Sequence, residues 1–433
     1  MAGGLMQLVA YGAQDVYLTG NPKVTFFQAV YKRHTNFAME NIEQTVNGTA
    51  SDSGRVSVTI ARNGDLVSDM YVELKAKDTI VKTAGDANDD CWAAERAIKD
   101  VELSVGGQRI DKHYQRWWRL YSELYLDESK KATWGKMTSP GADGVPAGGQ
   151  AGKPAGKMYL PLIFFFNRNP GLALPLIALQ YHEVRMDFDL SSEFSLYTDN
   201  STFKVWANYI YLDTEERRRF AQKGHEYLIE QVQHTGSDAM AAAGSTKQIR
   251  LSYNHPVKEL VFCADHGSVS RANLWNFTSS TQVVTTDAAT GLAVSTSTSI
   301  PTALSGAPQL QVAKAADGGT AAWTEEVDGP IETFKLVLNG QDRFKEQEGK
   351  YFNSVQPYQH HSGSPMPGVY AYSFALKPEE HQPTGTCNFS RIDNAQVAIK
   401  TKTGATALNL NMFAVNYNVL RIQSGMGGLA FSN

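Results

Sequence analysis

The chain has 433 residues, of which 42% are hydrophobic and 19% charged. This composition predicts a folded protein with enough apolar material for two or three domains, and it excludes a largely disordered chain. The 40 Lys and Arg residues against 44 Asp and Glu leave a net charge of -4. That balance excludes a general nucleic-acid coat, because neutralising phosphates requires a positive excess.

The first charged residue is Asp15, so we expect no signal peptide. The most apolar run, 159–166, is far shorter than the roughly 20 residues of a membrane helix. The cysteines are sparse and contain no CxxC pair, which argues against a disulfide scaffold and against a cysteine-rich zinc site. We therefore expect a soluble protein made on cytosolic ribosomes. The cysteines are Cys91, Cys263 and Cys387.

Short β-branched or aromatic runs separated by Gly, Pro, Asn and Asp predict an all-β fold. The runs are 24–27, 55–60, 71–74, 101–105, 203–212, 248–253, 334–338 and 369–374. In run 55–60 apolar residues alternate with polar ones, so one face of that strand should be buried. Asn63-Gly64 follows and predicts a hairpin, since both residues tolerate positive φ.

One segment, 113–128, has the pattern of an amphipathic helix with an aromatic face. Its aromatic and leucine side chains recur at spacings of three and four: Tyr114, Trp117, Trp118, Tyr121, Leu124 and Tyr125. We interpret this helix as a plug at one end of a β-sandwich. The alternative is a platform on which sugars or bases stack.

The two halves of the chain carry similar features in the same order, which indicates an internal repeat. The features are an early Asn turn (Asn63 and Asn254), a strand that enters a Gly-Gln turn (101–108 and 334–341), a Phe before two prolines five residues apart (166–175 and 374–383) and an aromatic-Ala strand ending in Asn-Tyr (206–209 and 413–417). We predict two similar β-sandwiches of about eight strands each, in a jelly-roll or Greek-key arrangement. Two insertions, 129–157 and 265–329, have the composition of exposed loops.

The repeat divides the chain into an N-terminal segment 1–26, a first sandwich 27–213, a linker 214–224 and a second sandwich 225–433. The linker contains three consecutive arginines, 217–219, directly after two glutamates. A locally ion-paired linker is the simplest interpretation. A contact with an acidic partner or with lipid headgroups is the alternative.

Partial matches to enzyme motifs lack the residues or elements that each motif requires. The run 148–153 resembles a phosphate loop, but Pro154 stands where Ser or Thr is needed. The glycines of 425–430 lack the helix that a dinucleotide fingerprint requires, so a close-packed C-terminal tail is the better interpretation. His182 and the pair His360-His361 are more typical of structural or surface residues than of a metal site. We expect no catalytic residues, no cofactor and no metal.

Four Asn-x-Ser/Thr sequons are candidate glycosylation sites: Asn47, Asn200, Asn276 and Asn388. Asn276 lies in the long second insertion and should be the most exposed. The same insertion contains Trp275 and Trp323. These are the loop tryptophans that fit a rival function, a carbohydrate-binding protein with aromatic side chains in an open groove.

Five stretches of the sequence resemble the major capsid proteins of nucleocytoplasmic large DNA viruses, especially those of the algal chlorella viruses. The most specific is 161–184, PLIFFFNRNPGLALPLIALQYHEV. The others are 8–22, LVAYGAQDVYLTGNP; 339–344, NGQDRF; 374–378, FALKP; and 424–429, SGMGGL. The resemblance runs from end to end, and it is weakest in 79–90 and in the two insertions.

The resemblance implies a tandem double jelly roll, two eight-stranded β-sandwiches with a short helix and long surface loops. It also implies a pseudo-hexagonal homotrimer whose copies contact neighbouring trimers and tile an icosahedral shell over an internal membrane. In this family the outer loops can carry glycans, and the N-terminal segment lies near minor capsid proteins and the membrane. Direct contact with nucleic acid is not expected. The alternative is a carbohydrate-binding or host-attachment jelly roll on the virion surface.

Overall fold

The computed structural model describes residues 3–77, 92–139, 156–199, 202–240, 244–265, 274–275, 277, 284–286, 293–295, 329–402 and 408–431. The α-helices are α1 (Gly3–Val9), α2 (Asp15–Thr19), α3 (Ala93–Ala97), α4 (Gln115–Leu124), α5 (Glu128–Thr138), α6 (Phe165–Arg168), α7 (Phe194–Tyr197), α8 (Thr214–Gln222) and α9 (Gln356–His360). Short 3-10 turns lie at Pro170–Leu172 and Phe389–Arg391, and a π-helical turn, Tyr351–Val355, leads into α9.

The strands of the first half of the chain are divided between two sheets. The first half contains β1 (Phe37–Gln44), β2 (Val46–Asn47), β3 (Arg55–Thr59), β4 (Leu66–Lys75), β5 (Ile98–Val105), β6 (Gln108–Tyr114), β7 (Lys157–Pro161), β8 (Leu174–Pro175), β9 (Val184–Leu190) and β10 (Lys204–Leu212). Sheet I has the order β1-β10-β4-β7, with β8 beside β4, and sheet II has the order β2-β3-β9-β5-β6.

The second half repeats this plan. Its strands are β11 (His225–Ala239), β12 (Thr246–Leu251), β13 (Pro256–Asp265), β14 (Val284–Thr286), β15 (Ala293–Ser295), β16 (Ile331–Leu338), β17 (Gln341–Asp342), β18 (Gln347–Glu348), β19 (Val369–Ser373), β20 (Cys387–Asn388), β21 (Ala395–Thr401), β22 (Asn409–Gln423) and β23 (Met426–Leu429). Sheet III has the order β11-β22-β13-β19, with β20 and β23 at its sides. Sheet IV has the order β12-β21-β16-β17, with β18 beside β16, and β14 pairs with β15.

The predicted strand runs are confirmed except for 24–27, which forms no strand. A strand needs a paired neighbour, and this run has none among the described residues. The two Gly-Gln turns are also confirmed as hairpins, between β5 and β6 and between β16 and β17. Both turn residues have positive φ in each: 57° and 83° at Gly106-Gly107, and 49° and 79° at Asn339-Gly340. These are the backbone angles that a tight hairpin requires.

The hairpin predicted at Asn63-Gly64 is wrong. The turn joins β3 of sheet II to β4 of sheet I, so the chain crosses between sheets there instead of folding back within one. The side chain of Tyr209 lies 2.9 Å from the position that a Cβ on Gly64 would take, so glycine is needed for close packing. The matching turn after Asn254 also crosses, from sheet IV to sheet III, so the repeat was real although its predicted geometry was not.

The first insertion contains a helix that its composition did not predict. Helix α5 covers the start of 129–157, and the Oδ1 atom of Asp127 caps it by accepting from the backbone N of Lys130 at 2.7 Å. Its Trp134 is buried and donates to Glu95 at 2.6 Å. Helix α5 is therefore packed against the core on one side rather than forming an exposed loop, because the large apolar surface of its indole is buried.

The N-terminal unit, Met1–Phe37, has two short helices and local hydrogen bonds. The backbone N of Gly12 donates to Asp15 Oδ2 at 2.8 Å, and the Tyr11 hydroxyl lies 3.0 Å from that of Thr19. Its large apolar side chains are exposed, reaching 95% for Phe26 and 98% for Phe27. In the described part of the chain, each helix is too short or too polar to cross a bilayer.

Candidate assembly site at the junction of the two sandwiches

Sheet III is buried on both of its faces. Along β13, Leu260 and Phe262 face the core of the second sandwich, whereas Val261 and Cys263 belong to the apolar cluster of the first sandwich. Strand β22 alternates in the same way, with Met412 inside its own sandwich and Phe413 outside it. Because successive side chains of a strand point to opposite faces, the outer face of sheet III is covered by the first sandwich.

The aromatic helix α4 is the element that covers this face. The ring of Phe413 lies 5.8 Å from that of Trp117 and 6.1 Å from that of Tyr114, and it stacks on His234 at 4.4 Å. Both Trp117 and Trp118 are buried, so the alternative of an open stacking platform is wrong. The helix predicted as a plug for one sandwich thus also joins the two.

Polar contacts hold the same junction in one register. The backbone N of Val232 donates to Asp111 Oδ1 at 3.0 Å, and the side chain of Gln231 donates to the carbonyl oxygen of Ile110. Arg116 of α4 forms an ion pair with Asp265 of β13 at 2.6 Å. These bonds are directional, so they fix how the sandwiches are rotated as well as that they touch.

A buried charge cluster lies beside the aromatic contacts. Glu230 of β11 accepts from Arg168 at 2.6 Å and from Lys258 at 2.7 Å. Lys258 is fully buried, and it also donates to the carbonyl oxygen of Pro378 at 2.6 Å. Arg168 is the last residue of α6, where Asn167 accepts from the backbone N of Phe164 and thereby holds the short helix.

Burial and pairing oppose each other in this cluster. Burial lowers the pKa of Lys258 to about 8, although Glu230 raises it. Burial would raise the pKa of Glu230, but the two cations outweigh it and leave that pKa lowered. The carboxylate is therefore charged at neutral pH. A buried ion pair specifies one arrangement even where it adds little net stability.

A second buried ion pair involves a histidine that the sequence suggested was structural or at the surface. His361 Nε2 lies 3.0 Å from Glu259, and Nδ1 lies 3.4 Å from Glu379. Burial lowers the pKa of His361, but the two carboxylates raise it further, to about 9. The ring of Tyr125, the residue directly after α4, packs edge-on against the imidazole at 5.2 Å, so this pair also borders the junction. Its neighbour His360 bonds the carbonyl oxygen of Leu376 instead.

The outer face of sheet I is different, because it is only half-buried. Trp206 of β10 stacks on Tyr71 of β4 with ring centroids 6.5 Å apart, and Tyr159 of β7 meets Tyr71 edge-on at 5.8 Å. The indole of Trp206 donates to Glu73 at 2.8 Å, and Lys157 pairs with the same carboxylate at 2.6 Å. We call this surface the sheet I face (Tyr71, Glu73, Tyr159 and Trp206).

A second apolar surface lies on the second sandwich around α9. Val355, Tyr358 and Leu376 have exposed fractions of 38%, 89% and 73%. The bond between His360 Nδ1 and the carbonyl oxygen of Leu376, at 2.9 Å, ties α9 to the loop after β19. We call this surface the α9 face (Val355, Tyr358 and Leu376).

Two of the four candidate glycosylation sites lie in the described residues. Asn47 is exposed at the end of β2. Asn388 is exposed in β20, and its side-chain oxygen accepts from the backbone N of Ser390 at 3.0 Å. Asn200 and Asn276 lie outside the described residues. Glycosylation of all four therefore stays a prediction.

The tryptophans of the rival carbohydrate site do not form an open groove in the described residues. Trp275 is buried, and the guanidinium of Arg96 lies 5.7 Å from its ring centroid. Phe277 beside it is buried too, so this part of the second insertion is not an exposed loop. Trp323 lies outside the described residues.

The linker and the C-terminal tail both pack on the first sandwich. Arg217 in α8 pairs with Asp65 at 3.0 Å, while Arg218 and Arg219 are exposed. The predicted close packing of the tail is confirmed: β23 pairs with β22, and a Cβ on Gly427 would meet Leu179 at 2.6 Å. Within the described ranges, no group of three His, Cys, Asp or Glu side chains is placed to hold a metal ion.

Comparisons with known proteins agree with this architecture. The family model described as "Large eukaryotic DNA virus major capsid protein" matches residues 216–428, and "Major capsid protein N-terminus" matches 25–213. The major capsid protein of Paramecium bursaria Chlorella virus 1 is 46% identical over 468 aligned residues, covering 100% of both chains. That of Phaeocystis pouchetii virus is 41% identical, again over 100% of both chains.

Solved structures give the same result. A quasi-atomic model of the PBCV-1 virus capsid matches with a TM-score of 0.75 and 39% identity, covering 94% of this chain and 100% of that one. The Faustovirus major capsid protein, at 14% identity, shares the fold with a TM-score of 0.68 and covers 97% of this chain. The fold is thus an all-β tandem double jelly roll, and the chain belongs to the major capsid protein family of large eukaryotic DNA viruses, as a structural protein of the virion shell.

Proposed function

We propose that this chain acts by self-association into a pseudo-hexagonal homotrimer, and that trimers tile an icosahedral shell over an internal membrane. The supporting observation is the junction between the sandwiches. Two similar jelly rolls stand side by side with a buried aromatic and charged contact between them. Three copies of such a pair supply the six corners of a hexagonal block.

The junction suits this role because it makes one chain into two corners of fixed relative angle. Buried pairs such as Glu230 with Lys258 disfavour other rotations, since each would leave a desolvated charge without its partner. Contacts within a permanent trimer should bury more than about 2,000 Å². Contacts between trimers should be smaller and more polar, so that misplaced blocks can detach.

Light scattering on the purified chain at micromolar concentration tests the trimer. We expect three times the monomer mass of 47.5 kDa and, by negative-stain electron microscopy, particles with a six-cornered outline. A stable monomer at that concentration would contradict the proposal.

For the rest of the chain we propose the division 1–26, 27–213, 214–224 and 225–433, with segment 1–26 contacting minor capsid proteins and the membrane. Its exposed apolar side chains, such as Phe26, support this role. Deleting 1–26 should leave the trimer intact but abolish co-flotation with lipid vesicles. Retained co-flotation would contradict membrane contact through this segment.

We also propose that the chain is neither an enzyme nor a nucleic-acid binder, in line with its net charge of -4 and its structural family. Glycans on the outer loops remain part of the proposal, with Asn47, Asn200, Asn276 and Asn388 as candidates. Intact-mass measurement on protein from virions, compared with Asn→Gln variants, would identify the occupied positions.

A further inference from the structure

Trp206 in the first sandwich and Phe413 in the second occupy equivalent positions in the repeat. Trp206 pairs with Tyr71 on the neighbouring strand β4, and Phe413 pairs with Val261 on the neighbouring strand β13. Both rings stand on the outer faces of the corresponding sheets I and III, beside a buried alanine of the same strand. Sheets I and III are therefore equivalent surfaces, and among the described residues only the outer face of sheet III is covered.

The element that covers sheet III also has an equivalent in the second sandwich. Helix α4 follows the first Gly-Gln hairpin, and the helical segment 351–360 follows the second. Val355 and Tyr358 are spaced three residues apart, so both side chains lie on the same, exposed side of that segment. Leu376 stands two residues before Pro378, as Arg168 stands two residues before Pro170.

We propose that the sheet I face of one copy docks against the α9 face of a second copy, which repeats between chains the junction already present within the chain. This rests on the proposed homotrimer and names the surfaces that build it. The contact is heterologous, because two different faces meet. Such contacts close into a ring when the rotation between successive copies divides a full turn. Six sandwiches from three copies close if each junction, within and between chains, turns the next sandwich by about 60°.

The chemistry of the two faces fits a permanent apolar contact. Leu376 replaces the cation Arg168, so the α9 face does not require a buried carboxylate opposite it. On the sheet I face, Glu73 is already paired with Lys157 and Trp206. The half-buried rings of Tyr71, Tyr159 and Trp206 stand beside this paired carboxylate, and Trp and Tyr are residue types that dominate binding energy at interfaces.

The test uses two full-length variants, each damaged on one face. The sheet variant carries Tyr71→Asp and Trp206→Asp, and the helix variant carries Tyr358→Asp and Leu376→Asp. We expect each variant alone to lose the trimer and run as a monomer of about 47.5 kDa. The matched control is Tyr181→Asp, an exposed aromatic outside both faces, which should stay trimeric.

Mixing the two variants gives the decisive measurement. A heterologous contact leaves one intact pair of faces in the mixture, so native mass spectrometry should detect a dimer with one copy of each variant and nothing larger. Dimer formation also shows that both variants are folded. Tyr159→Asp, on the edge strand β7, provides a milder sheet variant and should weaken the trimer at least tenfold.

The outcomes separate the interface assignment from the proposed function. If the unaltered chain is a monomer, both are overturned. If the unaltered chain and both variants are trimers, the trimer stands and the assignment of faces is overturned. If the variants are monomers with native near-ultraviolet circular dichroism and the mixture forms no dimer, the pairing of these two faces is overturned.

Discussion

Sheets I and III are built alike but differ in what lies on their outer faces. In β22 the outer ring of Phe413 is buried under α4, whereas in β10 the equivalent Trp206 is half-exposed. The inner faces of both strands are equally buried. The difference teaches that alternating apolar residues bury the inner face of both strands. The outer face is buried only where another element packs against it.

The glutamates on the two outer faces differ in the same way. Glu230 is buried with Arg168 and Lys258, and Glu73 pairs with the largely exposed Lys157. Removing one partner of a buried ion pair is costly, because the remaining charge is left without water or a counter-charge. Where one partner reaches water, solvation compensates for the lost ion pair. The junction within the chain is therefore the more costly place to change a charge.

The largest expected effect is a loss of stability on truncating one of the two equivalent rings, Phe413 and Trp206. Phe413→Ala should lower the free energy of unfolding by about 3–5 kcal/mol, because it leaves a cavity under α4. Trp206→Ala should act mainly through association, so its effect should grow with protein concentration. Urea unfolding at several concentrations measures both. Equal and concentration-independent losses would mean that the faces do not differ.

The next comparison uses the glutamates. Glu230→Gln should cost about 3 kcal/mol, because two buried cations lose their counter-charge while the amide keeps the size of the side chain. Glu73 is itself only 8% exposed, but its partner Lys157 reaches water and can be solvated when it loses the carboxylate. The control Glu73→Gln should therefore cost less than about 1 kcal/mol. Thermal unfolding of the two variants side by side gives the values. A smaller loss for Glu230→Gln than for Glu73→Gln would refute the comparison.

The smallest effect is a pH dependence at the junction. The pKa of His361 is raised to about 9, so its contribution to stability is complete below about pH 6.5 and is lost as the pH rises towards 9. We expect a loss of about 2–3 kcal/mol over that range, because each pKa unit corresponds to about 1.4 kcal/mol. The groups that face its ring are Glu259, Glu379 and Tyr125.

Lys258 contributes a pH dependence of stability in the opposite direction, which serves as an internal check. Its pKa is lowered to about 8, so stability is gained as the pH rises from about 8 towards the ordinary lysine value of 10.5. His361→Gln should therefore flatten the profile between pH 6.5 and 8 and leave a rise above it. Unfolding curves at intervals of half a pH unit measure this. An unchanged fall between pH 6.5 and 8 in the variant would exclude His361 as its source.

Much of the fold could be predicted because it depends on local patterns. The period-two runs marked seven of eight strands correctly, and the Gly-Gln turns marked two hairpins, since positive φ at adjacent residues has few other uses. The same rule gave a wrong prediction of a hairpin at Asn63-Gly64. Its glycine is needed for contact with Tyr209, which lies 145 residues away, and no local pattern reports such a contact.

The sequence by itself determined the duplication, the two sandwiches, the aromatic helix and the family, because motif order, alternation and helical spacing are properties of neighbouring residues. Only the tertiary structure decided that α4 covers sheet III, that Trp134 and Trp275 are buried, and that Glu230, Lys258 and Arg168 meet. Alternation says that a strand has two faces. What covers the second face depends on packing between elements far apart in the chain, which burial and charge pairing settle only in three dimensions.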